Sequence, residues 1–169
     1  LVGSVALVAS LSPLAPYKAE HEKKLQHLDA SGEFTYLGDL NPTSQSVGWG
    51  EYWTNRAWYD NGFSIAGIKY DNGVFTYAPA DVRYHLGKKF RWFAGCVGLD
   101  DMNGAACKHD NADGVHFKVF TDGNMAWDQQ MAGGDAARCF RIDVLNVATL
   151  QLVADERTNT CLLYTSDAA

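Results

Sequence analysis

Aromatic and polar residues alternate in one stretch near residue 50, and this mixture is typical of sugar-binding surfaces. The stretch is GWGEYWTNRAWYDNG, residues 48–62, and its rings include Trp49, Trp53 and Trp58, with Glu51 among the polar residues between them. The C–H face of a sugar packs on an aromatic ring, while its hydroxyl groups need fixed donors and acceptors. Aromatic rings also dominate cores, so the same stretch equally fits a loop folded beneath the edge of the domain.

A second stretch carries carboxylates that are candidates for binding calcium. In FAGCVGLDDMNGAACKHDNADG, residues 93–114, Asp100 and Asp101 are adjacent, and Asp110 and Asp113 follow among asparagines and glycines. Calcium is held by clustered carboxylate and amide oxygens. The spacing is not that of an EF-hand, and acidic loops of this kind are more often plain turns. On this loop alone, metal binding is the weaker interpretation.

Motifs for catalysis receive little support. GFSIAG, residues 62–67, approaches a nucleophile elbow, but Ala66 stands where the second glycine is needed. HEKKLQH, residues 21–27, lacks the two histidines one turn apart that a zinc protease helix requires. A glycosidase needs two carboxylates roughly 5–9 Å apart across a cleft. Six acids are available for such a pair, and nothing distinguishes any pair from solvated acids: Glu33, Asp39, Glu51, Asp60, Asp100 and Asp101.

Composition and charge fit one acidic globular domain. The 169 residues are 47% hydrophobic and 12% aromatic, which is enough for one substantial core. The 14 basic and 20 acidic residues give a formal net charge of −6, and no block of Lys and Arg is present. Nucleic acid is therefore excluded as a partner, because the positive charge that neutralises phosphates is missing.

The N-terminal residues have the composition of a secretory signal. LVGSVALVASLSPLAP, residues 1–16, is uncharged, apolar and rich in small residues and proline. It is too short for a spanning helix and resembles the hydrophobic and cleavage regions of a signal. We expect the remnant of a signal at 1–16 and a secreted protein without membrane insertion; the alternative is a buried N-terminal strand or helix. The charged residues 17–32 predict a short surface helix or a linker.

From residue 33 onward the pattern predicts β-structure throughout. Runs of strand-forming residues are separated by Gly, Asp, Asn and Pro. Strands are expected near residues 34–37, 63–70, 74–77, 81–86, 90–99, 115–121, 124–128, 138–145 and 148–154. Asp122 and Gly123 predict a tight hairpin turn between two of these strands. Many short strands without an intervening helix favour an all-β, antiparallel sandwich or jelly roll.

Several strings, taken in order, resemble one family, the NPCBM-type carbohydrate-binding module, also called carbohydrate-binding module family 51. The family opens with Tyr-Leu-Ser-Asp-Leu and Gly-Trp-Gly elements, which correspond here to YLGDL at 36–40 and GWG at 48–50. Its later landmarks are matched in the same order by IAGIKYDNG, GVFTYA, YHL, VGLDD, VFTDGNMAWD, MAGG and IDVLNVATLQLVAD. The resemblance covers about residues 34–155, and its specificity lies in the order and spacing of the motifs.

The resemblance implies a β-sandwich of jelly-roll (galactose-binding-like) type that binds terminal sugars, often galactose-containing, without catalysis. It also implies a structural calcium ion and attachment to a glycoside hydrolase. Carried over to this chain, it makes Asp39 a candidate calcium ligand, while Asp100 and Asp101 mark the turn of the family pattern and are weaker metal candidates. Trp49 becomes a candidate sugar-side aromatic residue.

One departure from the family affects the expected specificity. Tyr77 stands where the family usually has histidine in a Gly-x-Gly-x-His-Ala turn, so a preference for galactose does not transfer directly. Tyr77 still offers a polar tip or a stacking face. Together with the aromatic stretch, this gives four expected sugar-binding residues: Trp49, Glu51, Trp53 and Tyr77.

A second departure lies at the C-terminal end. After the last matched strand the family continues into an Asp-His-Ala-Asp-Trp type segment that closes the sandwich, but CLLYTSDAA, residues 161–169, stands there instead. Its back-translation resembles the transposon end and adapter used for sequencing libraries. We therefore expect a C-terminally truncated carbohydrate-binding module at 33–160 and a translated adapter at 161–169.

Cysteines are present at positions 96, 107, 139 and 161, and they suit an oxidising compartment. With Cys161 assigned to the adapter, three remain, and the sequence does not choose among their pairings.

The leading hypothesis is thus a secreted, non-catalytic module whose partner is a glycan and whose full-length protein carries a catalytic domain. Two alternatives stay open. One is a small glycosidase or lyase that uses a carboxylate pair. The other is a structural or adhesive sandwich in which Trp49, Trp53 and Trp58 turn into the core.

Overall fold

The computed structural model describes residues 4–7, 35–48, 50–57, 62–101 and 114–156. The expected helix or linker at 17–32 and the expected adapter at 161–169 lie outside these residues. The described strands are β1 (Ser4–Leu7), β2 (Ser44–Val47), β3 (Trp53–Thr54), β4 (Phe63–Ile65), β5 (Ile68–Tyr70), β6 (Val74–Tyr77), β7 (Ala80–His85), β8 (Trp92–Leu99), β9 (Val115–Thr121), β10 (Asn124–Met131), β11 (Arg138–Asp143) and β12 (Thr149–Glu156).

Two five-stranded sheets form a sandwich. Sheet one has the order β11-β8-β1-β6-β3, and sheet two has the order β10-β9-β12-β7-β2. Every strand pairing of the described residues is antiparallel. The prediction of an all-β antiparallel sandwich is therefore confirmed.

The main core lies between the sheets, where alternate residues of strands such as β7, β9 and β12 are buried. In β9, Val115, Phe117 and Val119 are buried, and Leu150 and Leu152 of β12 meet them in the same cluster. Burying one such side chain contributes about 1.5–3 kcal/mol. The alternation that predicts these strands from sequence also places their side chains in the core.

A third layer covers the outer face of sheet one. The hairpin β4–β5 lies on this face, and its side chains form a second apolar cluster with residues of β6: Ala57, Phe63, Ile65, Tyr70, Phe75 and Tyr77. Ile65 rests on β8 at Gly98, where a Cβ would overlap Ile65 Cγ2 and lie 3.0 Å from Ile65 Cδ1. Glycine at position 98 therefore allows the hairpin to pack directly on the strand.

The expected single strand at 63–70 is wrong, because Ala66 and Gly67 both adopt positive φ angles, 49° and 79°, and turn the chain into a hairpin. The expected strand at 34–37 is also wrong. Residues 35 and 36 are not in a strand, and Leu37–Asp39 form a 3-10 helix.

Three short strands are not indicated by the sequence pattern. Two of them, β2 and β3, flank the loop that carries Gly48 and Gly50. The third, β1, pairs with both β6 and β8, as the alternative of an N-terminal strand expects. Signal processing at 1–16 stays a prediction.

Cys96 and Cys139 stand directly opposite each other on β8 and β11 and form a disulfide. This disulfide links β11, at the edge of sheet one, to the neighbouring strand β8. Cys107 lies outside the described residues. Among the described residues, no helix is long and apolar enough to cross a membrane.

Candidate functional site

Two connections between the sheets lie side by side at one end of the sandwich. Residues 48–52 link β2 to β3, and the cis peptide bond Ala78–Pro79 links β6 to β7. They are neighbours because Val47 pairs with Ala80. We call this region, residues 47–53 and 77–80, the crossover end.

The two glycines beside Trp49 pack tightly against other residues of the crossover end. A Cβ on Gly48 would lie 2.5 Å from Pro79 Cδ. A Cβ on Gly50 would lie 3.2 Å from Trp53 Cη2 and 3.3 Å from the Tyr77 ring, and Gly50 also has a positive φ of 70°. Glycine meets both constraints at position 50 without backbone strain or displacement of these rings. Trp49 itself lies outside the described residues, but its two neighbours are fixed on the scaffold.

Trp53 presents a partly exposed indole ring supported by two other rings. Its centroid is 5.6 Å from that of Phe75 and 6.1 Å from that of Tyr77, in edge-on arrangements. Phe75 and Tyr77 also contact each other edge-on at 5.6 Å. Such contacts contribute about 0.5–1.5 kcal/mol per pair beyond burial. The register that pairs Trp53 with Phe75 brings these rings together.

The four expected sugar-binding residues thus have different environments. Trp53 is partly exposed and Glu51, two residues away, is exposed. Tyr77 is only 4% exposed, so its ring supports Trp53 from within the second apolar cluster. Within three residues of the sequence, Glu51 therefore supplies an exposed carboxylate acceptor and Trp53 a braced stacking face, which is the combination that a sugar requires.

Tyr52 points the other way from Trp53 and packs against the main core. Its hydroxyl contacts that of Tyr84, and the two form a hydrogen bond. Burial raises the pKa of Tyr84 to about 12 and raises that of Tyr52 well above its usual range, with the neighbouring phenol adding to the effect on Tyr52. Both phenols are therefore neutral and structural, and the aromatic stretch is divided between core and surface.

Asp100 and Asp101 hold the β4–β5 hairpin on sheet one. Asp100 is fully buried and accepts a hydrogen bond from the Ser64 amide at 3.0 Å. Asp101 accepts three: from Ser64 Oγ at 2.5 Å, Ala66 N at 2.8 Å and Gly67 N at 2.7 Å. Hydrogen bonds to charged groups contribute about 1.5–3 kcal/mol each. These contacts explain why two acids follow β8, and they show that the near-elbow GFSIAG is a hairpin clamped through its serine.

Asp39 lies in a different part of the molecule, where Asn55 organises the chain. Asn55 Nδ2 donates to Asp39 Oδ1 at 2.8 Å. Asn55 also exchanges two hydrogen bonds with Gly73, donating from its backbone amide at 2.7 Å and accepting through its side chain at 3.1 Å. The sequence did not single out Asn55 for this role; its positive φ of 56° is visible only in the structure.

The metal candidates are not brought together. Gly73 precedes β6 and Asn55 follows β3, whereas Asp100 follows β8, three strands from β3 in sheet one. At about 4.8 Å per strand, the lateral separation alone is roughly 14 Å. Asp39 therefore cannot share an ion with Asp100 and Asp101. Among the described residues, no group of three or more His, Cys, Asp or Glu side chains is placed to hold a metal.

Comparison with known proteins identifies the family. The NPCBM/NEW2 domain family matches residues 33–165, which is most of the chain. The chain belongs to this family of carbohydrate-binding modules, so the resemblance found in the sequence is confirmed. The matched range includes 161–165, where the sequence predicts an adapter, and those residues lie outside the described part of the chain.

Solved structures show the same fold. The CBM51 module of Clostridium perfringens GH95, in complex with methyl-galactose, superimposes with a TM-score of 0.64 at 24% identity, covering 75% of this chain and 89% of that one. A structure of the CBM51-2 and INT domains of Clostridium perfringens ZmpB, in complex with GlcNAc, gives 0.63 at 25% identity, covering 74% and 28%. These likenesses confirm the jelly-roll, galactose-binding-like type of the sandwich.

A curated relative is Alpha-1,3-galactosidase B of Akkermansia muciniphila, which is 29% identical over 161 residues. The alignment covers 92% of this chain but 19% of the relative, so the chain spans about a fifth of that protein's length.

Proposed function

We propose that this chain is a secreted, non-catalytic module that binds the terminal sugar of a glycan at the crossover end, with galactose-related sugars as the ligand class. The observation that carries the proposal is the Trp53 ring, which is partly exposed, braced by Phe75 and Tyr77, and two residues in sequence from the exposed Glu51. A ring held in this way loses little freedom when a ligand stacks on it.

The polar part of recognition falls to Glu51 and the loop around it. Sugar hydroxyl groups donate to carboxylate oxygens, and such charge-assisted bonds give direction to binding that stacking lacks. Trp49 supplies a second ring in the proposal, since its glycine neighbours fix where the loop passes. Tyr77 is buried, so it acts through Trp53.

The relatives support a sugar ligand and a larger parent protein, and the galactosidase and the methyl-galactose complex among them support the galactose-related class. One relative is named as a galactosidase, and two similar structures are named as complexes with methyl-galactose and GlcNAc. We propose that this module likewise directs an attached glycoside hydrolase to its substrate. Secretion is proposed from the composition of residues 1–16. Because Ser4–Leu7 form β1 between β6 and β8, mass spectrometry of the exported full-length protein checks both export and whether the mature chain keeps this strand.

Binding tests the proposal directly. Isothermal titration of the folded chain with methyl-galactoside, GlcNAc and lactose is expected to show binding that Trp53→Ala abolishes and Glu51→Gln weakens. Phe120→Ala is the matched control, because Phe120 is a partly exposed ring on β9 of the other sheet. A folded chain that binds no member of a broad glycan array would refute the sugar site. Loss of binding in Phe120→Ala equal to that in Trp53→Ala would refute its location.

We also propose a structural calcium ion at Asp39. Asp39 fits better than Asp101, because it is exposed and the described residues engage only one of its oxygens, whereas Asp101 already accepts three hydrogen bonds. Calcium takes six to eight oxygen ligands, so backbone carbonyls and water would complete the set. Chelation by EDTA is expected to lower the melting temperature of the native chain but not of Asp39→Asn. An equal effect of EDTA on both proteins, or no effect on either, would remove calcium from this position.

A further inference from the structure

Opposite the crossover end, the sandwich carries a cluster of cationic side chains around one indole. β6 and β8 both pair antiparallel with β1, so they run parallel to each other and end together near Tyr77 and Leu99. Trp92 begins β8, seven residues before Leu99, which places it roughly 23 Å away along the strand. Trp92 is therefore too far from Trp53 for one small sugar to contact both.

Two guanidinium groups lie over the Trp92 ring. The central carbon of Arg141 is 4.5 Å from the ring centroid, and that of Arg91 is 5.2 Å. Arg91 also pairs with Asp143 at 3.2 Å. Within the described ranges, no carboxylate pairs with Arg141. Among the described side chains, the contact that positions the Arg141 guanidinium is the one with the Trp92 indole.

Two lysines add to the positive charge at this end. Lys88 and Lys89 are exposed in the loop between β7 and β8, and the described carboxylates form no ion pair with them. The loop is fixed by hydrogen bonds from Lys88 N to Val147 O at 3.2 Å and from Val144 N to Arg91 O at 2.9 Å.

The described acidic groups at this end already have partners. Asp143 pairs with Arg91, and the carboxylate of Asp122 accepts hydrogen bonds from the backbone amides of Ala148 and Thr149. Among the described residues at this end, four cations therefore accompany two acids, in a chain whose net charge is −6.

We propose that Arg141, Arg91 and Trp92 form a second binding site, for the sulfate or carboxylate group of an acidic glycan. A guanidinium that rests on an indole contacts the ring through the flat face of the guanidinium. The N–H groups in the guanidinium plane therefore remain available to the two oxygens of an anion. Stacking also holds the forked set of guanidinium N–H donors in one orientation, which reduces the conformational entropy lost when the anion binds. That the anion belongs to a glycan rests on the proposed function; the anion site itself does not.

Three ligands that share one disaccharide test this proposal: lactose, sulfated lactose and sialyllactose. Titration at low ionic strength is expected to show roughly tenfold tighter binding of at least one acidic ligand than of lactose. Arg141→Ala is expected to abolish this difference and leave lactose binding unchanged. Which acidic ligand gains affinity identifies the anion as sulfate or carboxylate.

Control variants separate the site from general charge and from the proposed sugar site. Arg83→Ala removes another exposed arginine, paired with Asp81 on β7, and is expected to retain the preference for acidic ligands. Trp53→Ala is expected to lose lactose and keep the acidic ligand, so failure of the sugar site is distinguishable. Arg141→Lys keeps the positive charge but removes the forked guanidinium donors, and it should bind the acidic ligand more weakly than the native chain.

Four results would overturn the site. The first is no preference for either acidic ligand. The second is an equal loss of acidic-ligand binding in Arg83→Ala and Arg141→Ala. The third is native affinity in Arg141→Lys. The fourth is loss of acidic-ligand binding in a Trp53→Ala protein whose near-ultraviolet circular dichroism shows it to be folded.

Discussion

The contact between Ile65 and Gly98 provides a direct test of the third layer. A methyl group added by Gly98→Ala would overlap Ile65 Cγ2 and lie 3.0 Å from Cδ1 and 3.3 Å from Cγ1. Overpacking of this kind costs about 1–3 kcal/mol. Ile65 is fully buried, so Ile65→Ala costs about 2–5 kcal/mol through lost burial and the cavity that remains.

The double substitution is expected to cost less than the sum of the two. All three crowded atoms belong to the part of Ile65 that Ile65→Ala removes, so the new methyl group at position 98 enters vacated space. The coupling is expected to be about 1–2 kcal/mol in the favourable direction. Urea unfolding of the four proteins, with midpoint and slope fitted separately, measures it.

A second cycle is the control. Gly98→Ala combined with Val119→Ala pairs two positions on different faces, since Val119 is buried between the sheets. These effects should add within about 0.5 kcal/mol. If Gly98→Ala and Ile65→Ala were equally additive, the hairpin would not pack on β8 as described.

Three further predictions concern groups that stabilise the sandwich. Asp101→Asn leaves at least one of the three hairpin donors without an acceptor and should lower the free energy of unfolding by about 2–3 kcal/mol; an unchanged urea midpoint would contradict the clamp. Because the folded pKa of Tyr84 is raised to about 12 from 10.0, the stability from its neutral phenol is complete below pH 10 and is lost as the pH rises toward 12. Tm should thus fall less steeply over that interval in the double Phe variant of Tyr52 and Tyr84, and equal slopes would argue against the buried pair. Replacing Cys96 and Cys139 with serine opens a loop closed across 43 residues, and chain entropy predicts a loss of about 4 kcal/mol; a chemical-denaturation difference below about 1 kcal/mol would mean that the disulfide constrains little.

The sequence predicts those strands in which apolar and polar residues alternate. The turn at Asp122 and Gly123 forms as expected, with positive φ angles of 47° and 83°, because that dipeptide encodes its own geometry. Ala66 does not encode a turn. Its positive φ depends on Asp101, which is distant in sequence and accepts hydrogen bonds from the amides of Ala66 and Gly67. The local sequence pattern therefore predicts one strand at 63–70, whereas the hydrogen bonds from Asp101 divide this segment into two.

The candidate site, like the strands, is predictable only where nearby residues in the sequence determine it. Trp53 and Glu51 stand two residues apart in the sequence, and the structure leaves Glu51 exposed and Trp53 partly exposed. The burial of Tyr77 and the role of Asn55 depend on which strands lie side by side and on the layer that covers sheet one. Neither fact is contained in the residues around them.

The two glycines of the crossover end also bear on how specificity can change. Gly48 lies against Pro79 and Gly50 against Trp53, so the backbone on each side of position 49 is set by the scaffold. Exchanging either glycine should therefore disturb folding before it changes any contact with a sugar. Laboratory libraries for new sugar preferences should vary positions 49 and 51 and leave 48 and 50 constant, and natural variants would be expected to diverge along the same division.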